Sequence, residues 1–203
     1  MGKLACFFFL TVLAADNFLP FVLGAFYPGY RHKTEALSVL GCRESPVRRI
    51  YNAWCIVSGL VFCFAGYAIF DVRRSGMSLA VFVLMVLYGI GCEVISGIFP
   101  LHREREARDL WTKIHGAGSA IGFTALLFVP LFLGLWSVRE RPLPSAVSFV
   151  CFGAAFLCFS FFIMGEKDKF RNTVLCYGGL WQRAVLLLCC VPLAFSSVYL
   201  YQS

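Results

Sequence analysis

The sequence predicts an all-α, polytopic integral membrane protein: a single domain, residues 1–203, folded as one bundle of six transmembrane helices. Three observations carry that expectation. Hydrophobic residues make up 60% of the chain and charged residues 14%, against roughly 45–50% and about 25% in soluble domains. The apolar residues gather into six runs, each near the ~20 residues a helix needs to cross the hydrocarbon core. Between the runs lie short segments that hold most of the charge and the turn-forming residues. The net charge of +7 therefore sits beside apolar spans, where anionic lipid is the nearer partner, and no nucleic-acid partner is expected.

The first span runs from about Leu4 to Phe26. Its opening resembles a signal peptide with Ala14-Ala15 as a cleavage site, yet cleavage would strand NFLPFVLGAF without a complete helix, so a retained span is expected. Gly2 and Cys6 do not complete a myristoylation pattern, and no lipid anchor is expected. Asp16 and Asn17 fall mid-span, where polar groups are costly and face the bundle interior or serve function. At helical spacing Asp16, Pro20, Gly24 and Tyr27 share one face, which should point inward. The plainer alternative is that Asp16 only fixes packing.

A loop from Tyr27 to Asn52 follows, too long for a simple turn and punctuated by Pro28-Gly29 and Ser45-Pro46; it should fold back over the bundle. The second span covers about Tyr51 to Phe70 and the third about Met77 to Phe99, joined by the tight turn Asp71–Gly76. In the third, Gly89, Glu93 and Gly97 recur every four residues, which sets a carboxyl between two points of close helix approach. The fourth span covers about His115 to Trp136, with Gly118 and Gly122 in a small-residue packing pattern and Ser119 one turn from His115. The fifth, about Ala146 to Met164, and the sixth, about Leu180 to Tyr201, complete the count. Six spans put both termini on one side and the three long loops on the other, the loop face.

The succession YPGY, SVLG followed by SP and YNAW, GIFP, KIHGAG and GLWQR, from Tyr27 to Arg183, resembles the domain-of-unknown-function 998 family of six-helix membrane proteins. The resemblance implies a fold and a prominent His115, and it implies no reaction. Asp16 and Glu93 depart locally from the family's usual pattern. More distantly, the long first loop and the histidine opening the fourth span are similar to the Frag1/DRAM/Sfk1 group, whose members are linked to lipid-anchor remodelling, autophagy and membrane lipid organisation.

Glu93 lies six residues before Phe99, about 9 Å below the loop face at 1.5 Å per residue. His115 and Arg183 open their spans at that face, so the three are expected to share a pocket. Tyr27, Tyr30, Asn52, His102 and Gln182 sit at the same level and supply hydrogen bonds for a headgroup or carboxylate. Glu93, His102, His115, Gln182, Arg183, Tyr27 and Asn52 are thus the candidate ligand-binding residues, and His115 with Glu93 the candidate catalytic pair. Against this stands a helix-locking network in which Glu93 pairs with Arg183 or His115. At a helix start, His115 meets the positive end of the helix dipole, which favours the neutral ring.

No metal or cofactor is implied. His102 and His115 stand thirteen residues apart with no HExxH or CxxC, and a zinc site would need Glu93 or Glu104 as well. Ser119 near His115 is equally a packing residue. Trp181 and Arg183 also suit an interfacial anchor role. Of ten cysteines, only Cys42 and Cys176 fall in loops; they would bridge if the loop face is oxidising.

Topology pulls two ways. The loop face holds twelve Lys and Arg and the other side five, which argues for a cytoplasmic loop face. The more distant resemblance implies the reverse, and the seven acidic residues on the longer loop-face segments dilute the contrast, so cytoplasmic termini are the expectation adopted. Function is expected to be non-catalytic binding or organisation of a lipid or amphiphile at the loop face, with membrane lipids as partners and room for a membrane-protein partner or a homo-oligomer. Two alternatives stand beside it: an intramembrane lipid-modifying enzyme using His115 and Glu93, and a small proton-coupled carrier using Asp16 and Glu93.

Overall fold

An apolar segment in lipid must satisfy its backbone polar groups internally, and a helix does so within one span. The computed structural model describes residues 3–103 and 109–202. Its long helices are α1 (Lys3–Ala25), α2 (Arg48–Val72), α3 (Gly76–Ile98), α4 (Leu110–Ser137), α5 (Pro142–Gly165) and α6 (Gly178–Gln202). Each is long and apolar enough to cross a membrane, and the protein is a multi-pass integral membrane protein. Phe7, Phe18, Phe64, Leu143 and Val150 project outward, where lipid tails are as apolar as they are.

α1, α2 and α3 pack as consecutive neighbours, α4 packs against α3, α5 and α6, and α6 returns to α1. More than half of the α4 span is buried, 56%, against 17% for α5, so α4 is the inner staff of the bundle and α5 its lipid-exposed side. The α1 face expected to point inward does so: Asp16, Pro20, Gly24 and Tyr27 are all buried.

Two local features differ from the sequence expectation. α4 begins at Leu110, more than a turn before His115, because Asp109 caps it by accepting from the Thr112 N–H at 2.9 Å. His115 therefore sits inside the helix, beyond the first turn where the dipole acts most strongly. The second feature is that α3 winds as a π-helix from Leu87 to Val94. Wider winding lets adjacent residues serve different neighbours. A Cβ on Gly89 would strike the Gly59 carbonyl of α2, whereas one on Gly91 would meet the Gly118 carbonyl of α4. Gly122 in turn lies against the Cys92 backbone, and Gly97 against the Asn52 carbonyl. These crossings are backbone on backbone, which is what small residues permit in membranes.

The first loop folds over the loop face as expected. Gly29 takes φ 77° after Pro28, a conformation glycine adopts without strain, and the chain then runs into a 3₁₀ turn, Leu37–Gly41, whose Leu37, Leu40 and Gly41 are buried. Tyr27, Tyr30, Leu40, Cys42 and Val47 pack there with Leu23 of α1, and Leu101 of the second loop joins them.

Candidate functional site

Beneath that cover lies a cavity of about 580 Å³ lined by side chains from all six helices. Its size falls in the range of about 300–1,000 Å³ typical of ligand pockets. Ser38, Val39 and Gly41 roof it, and Leu101, His102 and Arg103 stand at its mouth. Phe123 of α4 and Phe159, Phe162 and Ile163 of α5 give one wall an apolar surface.

The inner end is acidic. Asp16 accepts hydrogen bonds from the Trp54 indole N–H at 2.7 Å and the Ser58 hydroxyl at 2.8 Å. Glu93 accepts from the Tyr88 hydroxyl at 2.7 Å, five residues back along the π-helical stretch, with the Cys55 thiol beside it. A Cβ on Gly59 would touch Glu93, so the two carboxyls bracket the same turns of α2, residues 54–59. Among the described residues neither has an ion-pair partner. Pro20, one turn after Asp16, withholds the N–H that would otherwise cap the Asp16 carbonyl.

His115 is 5% exposed. Its Nδ1 lies 2.9 Å from the Phe99 carbonyl oxygen at the end of α3. A carbonyl only accepts, so Nδ1 carries the proton, and in the neutral ring Nε2 is left as an acceptor. That Nε2 is buried without a hydrogen-bond partner, and the ring lines the cavity. Ser119 bonds to Ser96 of α3 at 3.0 Å, not to His115.

The cavity thus gathers Glu93, His115, Asn52, His102 and Gln182 from the sequence candidates. Asn52 donates to the Gly41 carbonyl at 3.2 Å, and Gln182 accepts from the Leu37 N–H at 2.8 Å; both hold the cover. His102 meets Glu44 at 2.9 Å. Burial opposes ionisation of Glu44, but the hydrogen bonds from His102 and the Arg103 N–H prevail and hold it down to about 2.

Two candidates lie elsewhere. Tyr27 sits outside the lining, its hydroxyl 3.7 Å from the Cys42 sulfur and 3.2 Å from the Arg103 guanidinium. Burial first, and then the Cys42 contact, push its phenol up to about 12. Arg183 does not join Glu93 or His115. Its guanidinium donates to the His32 and Gly179 carbonyls at 2.8 Å, the Glu35 carbonyl at 3.3 Å and the Tyr30 hydroxyl, pinning the first loop to α6.

Cys42 and Cys176 are free thiols, so the bridge entertained from the sequence is not formed. Cys42 is turned toward Tyr27 inside the first-loop cluster, while Cys176 ends a short 3₁₀ turn, Val174–Cys176. No group of three or more His, Cys, Asp or Glu is placed to hold a metal among the described residues; Glu104 and Gly2 lie outside them. Sequence reasoning passed over Trp54, Tyr88 and Arg103 as site residues. Trp54 and Ser58, one turn apart on α2, were the available signal for a partner to a buried acid.

Neither the search of curated proteins nor that of solved structures finds a match, and the distant likeness to the Frag1/DRAM/Sfk1 group gains nothing from them. The family model described as protein of unknown function (DUF998) matches residues 8–199, nearly the whole bundle together with its cover and cavity. The chain belongs to the DUF998 family.

Proposed function

We propose that the protein binds a lipid or other amphiphile in this cavity and organises or transfers it without altering it covalently. The observation that carries the reading is the cavity itself: an apolar wall of phenylalanines, a polar mouth, and a loop folded over the top. That combination buries a chain and meets a head. An enzyme would need a base joined to an orienting partner and an accessible reacting position. Here His115 keeps a free Nε2 toward the cavity, but it is not joined to Glu93, which accepts from Tyr88 while His115 Nδ1 donates to the Phe99 carbonyl. With that acid–base pair apart, the cavity's shape favours binding over reaction. The orientation that suits this reading keeps the termini in the cytoplasm and the loop face outside. A membrane-impermeant maleimide added to sealed cells should then modify the half-buried Cys176; labelling only after permeabilisation would reverse the topology.

Gly116 provides the test. It lines the cavity, and a Cβ there would meet nothing within 4 Å, so Gly116→Leu should fill the space without disturbing the bundle. Replacing a mid-helix glycine also removes a helix penalty of about 0.5–1 kcal/mol. The expected result is a variant at least as heat-stable as the parent that co-purifies with markedly less lipid, measured by mass spectrometry of organic extracts. Equal lipid in both proteins would sink the proposal.

A further inference from the structure

The inner end of the cavity has an unusual hydrogen-bond census. The side-chain donors around the two carboxyls, on Trp54, Ser58 and Tyr88, are already engaged with them. What the two carboxyls leave open is acceptor capacity, their spare lone pairs. Nearer the loop face the same cavity holds the unpartnered Nε2 of His115, a ring 95% buried, and, one turn before it on α4, the unpartnered Thr112 hydroxyl. A low-dielectric site offering acceptors, with no cation paired to its carboxyls among the described residues, is complementary to a positively charged donor. Tyr51, Trp54 and Tyr88 line the cavity beside them, and aromatic faces attract a desolvated cation.

We propose that the cavity selects an amphiphile with a primary ammonium head, seated between Asp16 and Glu93 with its chain along the phenylalanine wall; this rests on the amphiphile-binding reading above. A primary ammonium carries three donors and no acceptor, matching the spare lone pairs of Asp16 and Glu93. Phosphate or carboxylate heads would place like charge against the two acids. A quaternary ammonium would satisfy the charge but can donate to neither carboxyl.

The test uses the full-length protein in a maltoside detergent and four probes with the same chain: tetradecylamine, tetradecyltrimethylammonium, tetradecanol and tetradecanoate. Binding is read from thermal unfolding and from titration of tryptophan fluorescence. Tetradecylamine should stabilise the protein and bind at least about tenfold more tightly than the alcohol, the factor expected for gaining a charge-assisted hydrogen bond. Glu93→Gln, which keeps an acceptor for Tyr88, should weaken the amine about tenfold or more and leave the alcohol unchanged. Asp16→Asn should do the same, and if it does not fold, Glu93→Gln alone decides. The amine proposal is overturned if the alcohol or tetradecanoate binds as tightly, if trimethylammonium equals the primary amine, or if Glu93→Gln leaves amine affinity intact. If none of the four probes binds and Gly116→Leu retains its lipid, the amphiphile reading itself fails.

Discussion

Gly59→Ala is expected to destabilise the bundle by about 1–3 kcal/mol, the usual cost of forcing an extra group into a packed interior, while Gly153→Ala should stabilise it by about 0.5–1 kcal/mol. Both glycines lie mid-helix, so helix propensity favours alanine at each. Their surroundings decide the sign. At Gly59 the new methyl would run into the Gly89 carbonyl oxygen, with the Glu93 Cβ and Val94 close behind. A main-chain carbonyl at the centre of a π-helical stretch cannot step aside without moving α3. At Gly153, on the lipid-exposed α5, a Cβ meets nothing within 4 Å. Because the Gly59 clash also pushes on Glu93, the variant should lose bound lipid along with stability. Thermal unfolding of the two purified variants, side by side, is the measurement. A Gly59→Ala protein as stable as Gly153→Ala would mean that α2 and α3 do not cross at this distance.

The six spans were legible because lipid leaves so few solutions: an apolar run of the right length must be a helix. The inward face of α1 was legible for the same reason, since Asp16 in a hydrophobic run has nowhere else to go. Sequence spacing also marked Gly89, Glu93 and Gly97 as a side of α3 that meets another helix, and the helix it meets is α2. It did not reveal the π-helical winding, because an extra residue per turn leaves no trace in composition, and so the opposite commitment of Cys92 and Gly91 to α4 was hidden. The start of α4 was misplaced because Asp109, Trp111 and Lys113 read as loop, although Asp109 is the cap. Arg183 shows a limit of depth arguments. Its place on α6 was foreseen, but an arginine side chain is long enough to choose among several partners, and the loop carbonyls that claim it take their positions only when the whole first loop folds.

Arg183→Ala should therefore act on the cover rather than on the cavity floor. The guanidinium spans three backbone carbonyls and a tyrosine hydroxyl, and it lies 5.6 Å from the Phe21 ring centroid. Removing it leaves partly buried acceptors unpaired, at about 1–3 kcal/mol for each group that water cannot reach. The first loop should lift from α6. Cys42, fully buried in the native cover, reports the event: its modification by a maleimide in detergent, followed by peptide mass mapping, should accelerate strongly in the variant while the span cysteines stay protected. Arg183→Lys should rescue only in part, since a compact ammonium cannot hold the same fork of partners. His32 gives an independent readout. Burial, and then the adjacent guanidinium, keep its pKa below the ordinary 6.5, so the unfolded loop binds a proton more readily than the folded one. Stability of the cover thus rises with pH through this window and falls as pH drops below about 6.5. In Arg183→Ala both causes weaken, and an NMR titration should find the His32 pKa moved upward. Unchanged Cys42 protection together with an unmoved His32 titration would show that the cover is held by its apolar contacts alone.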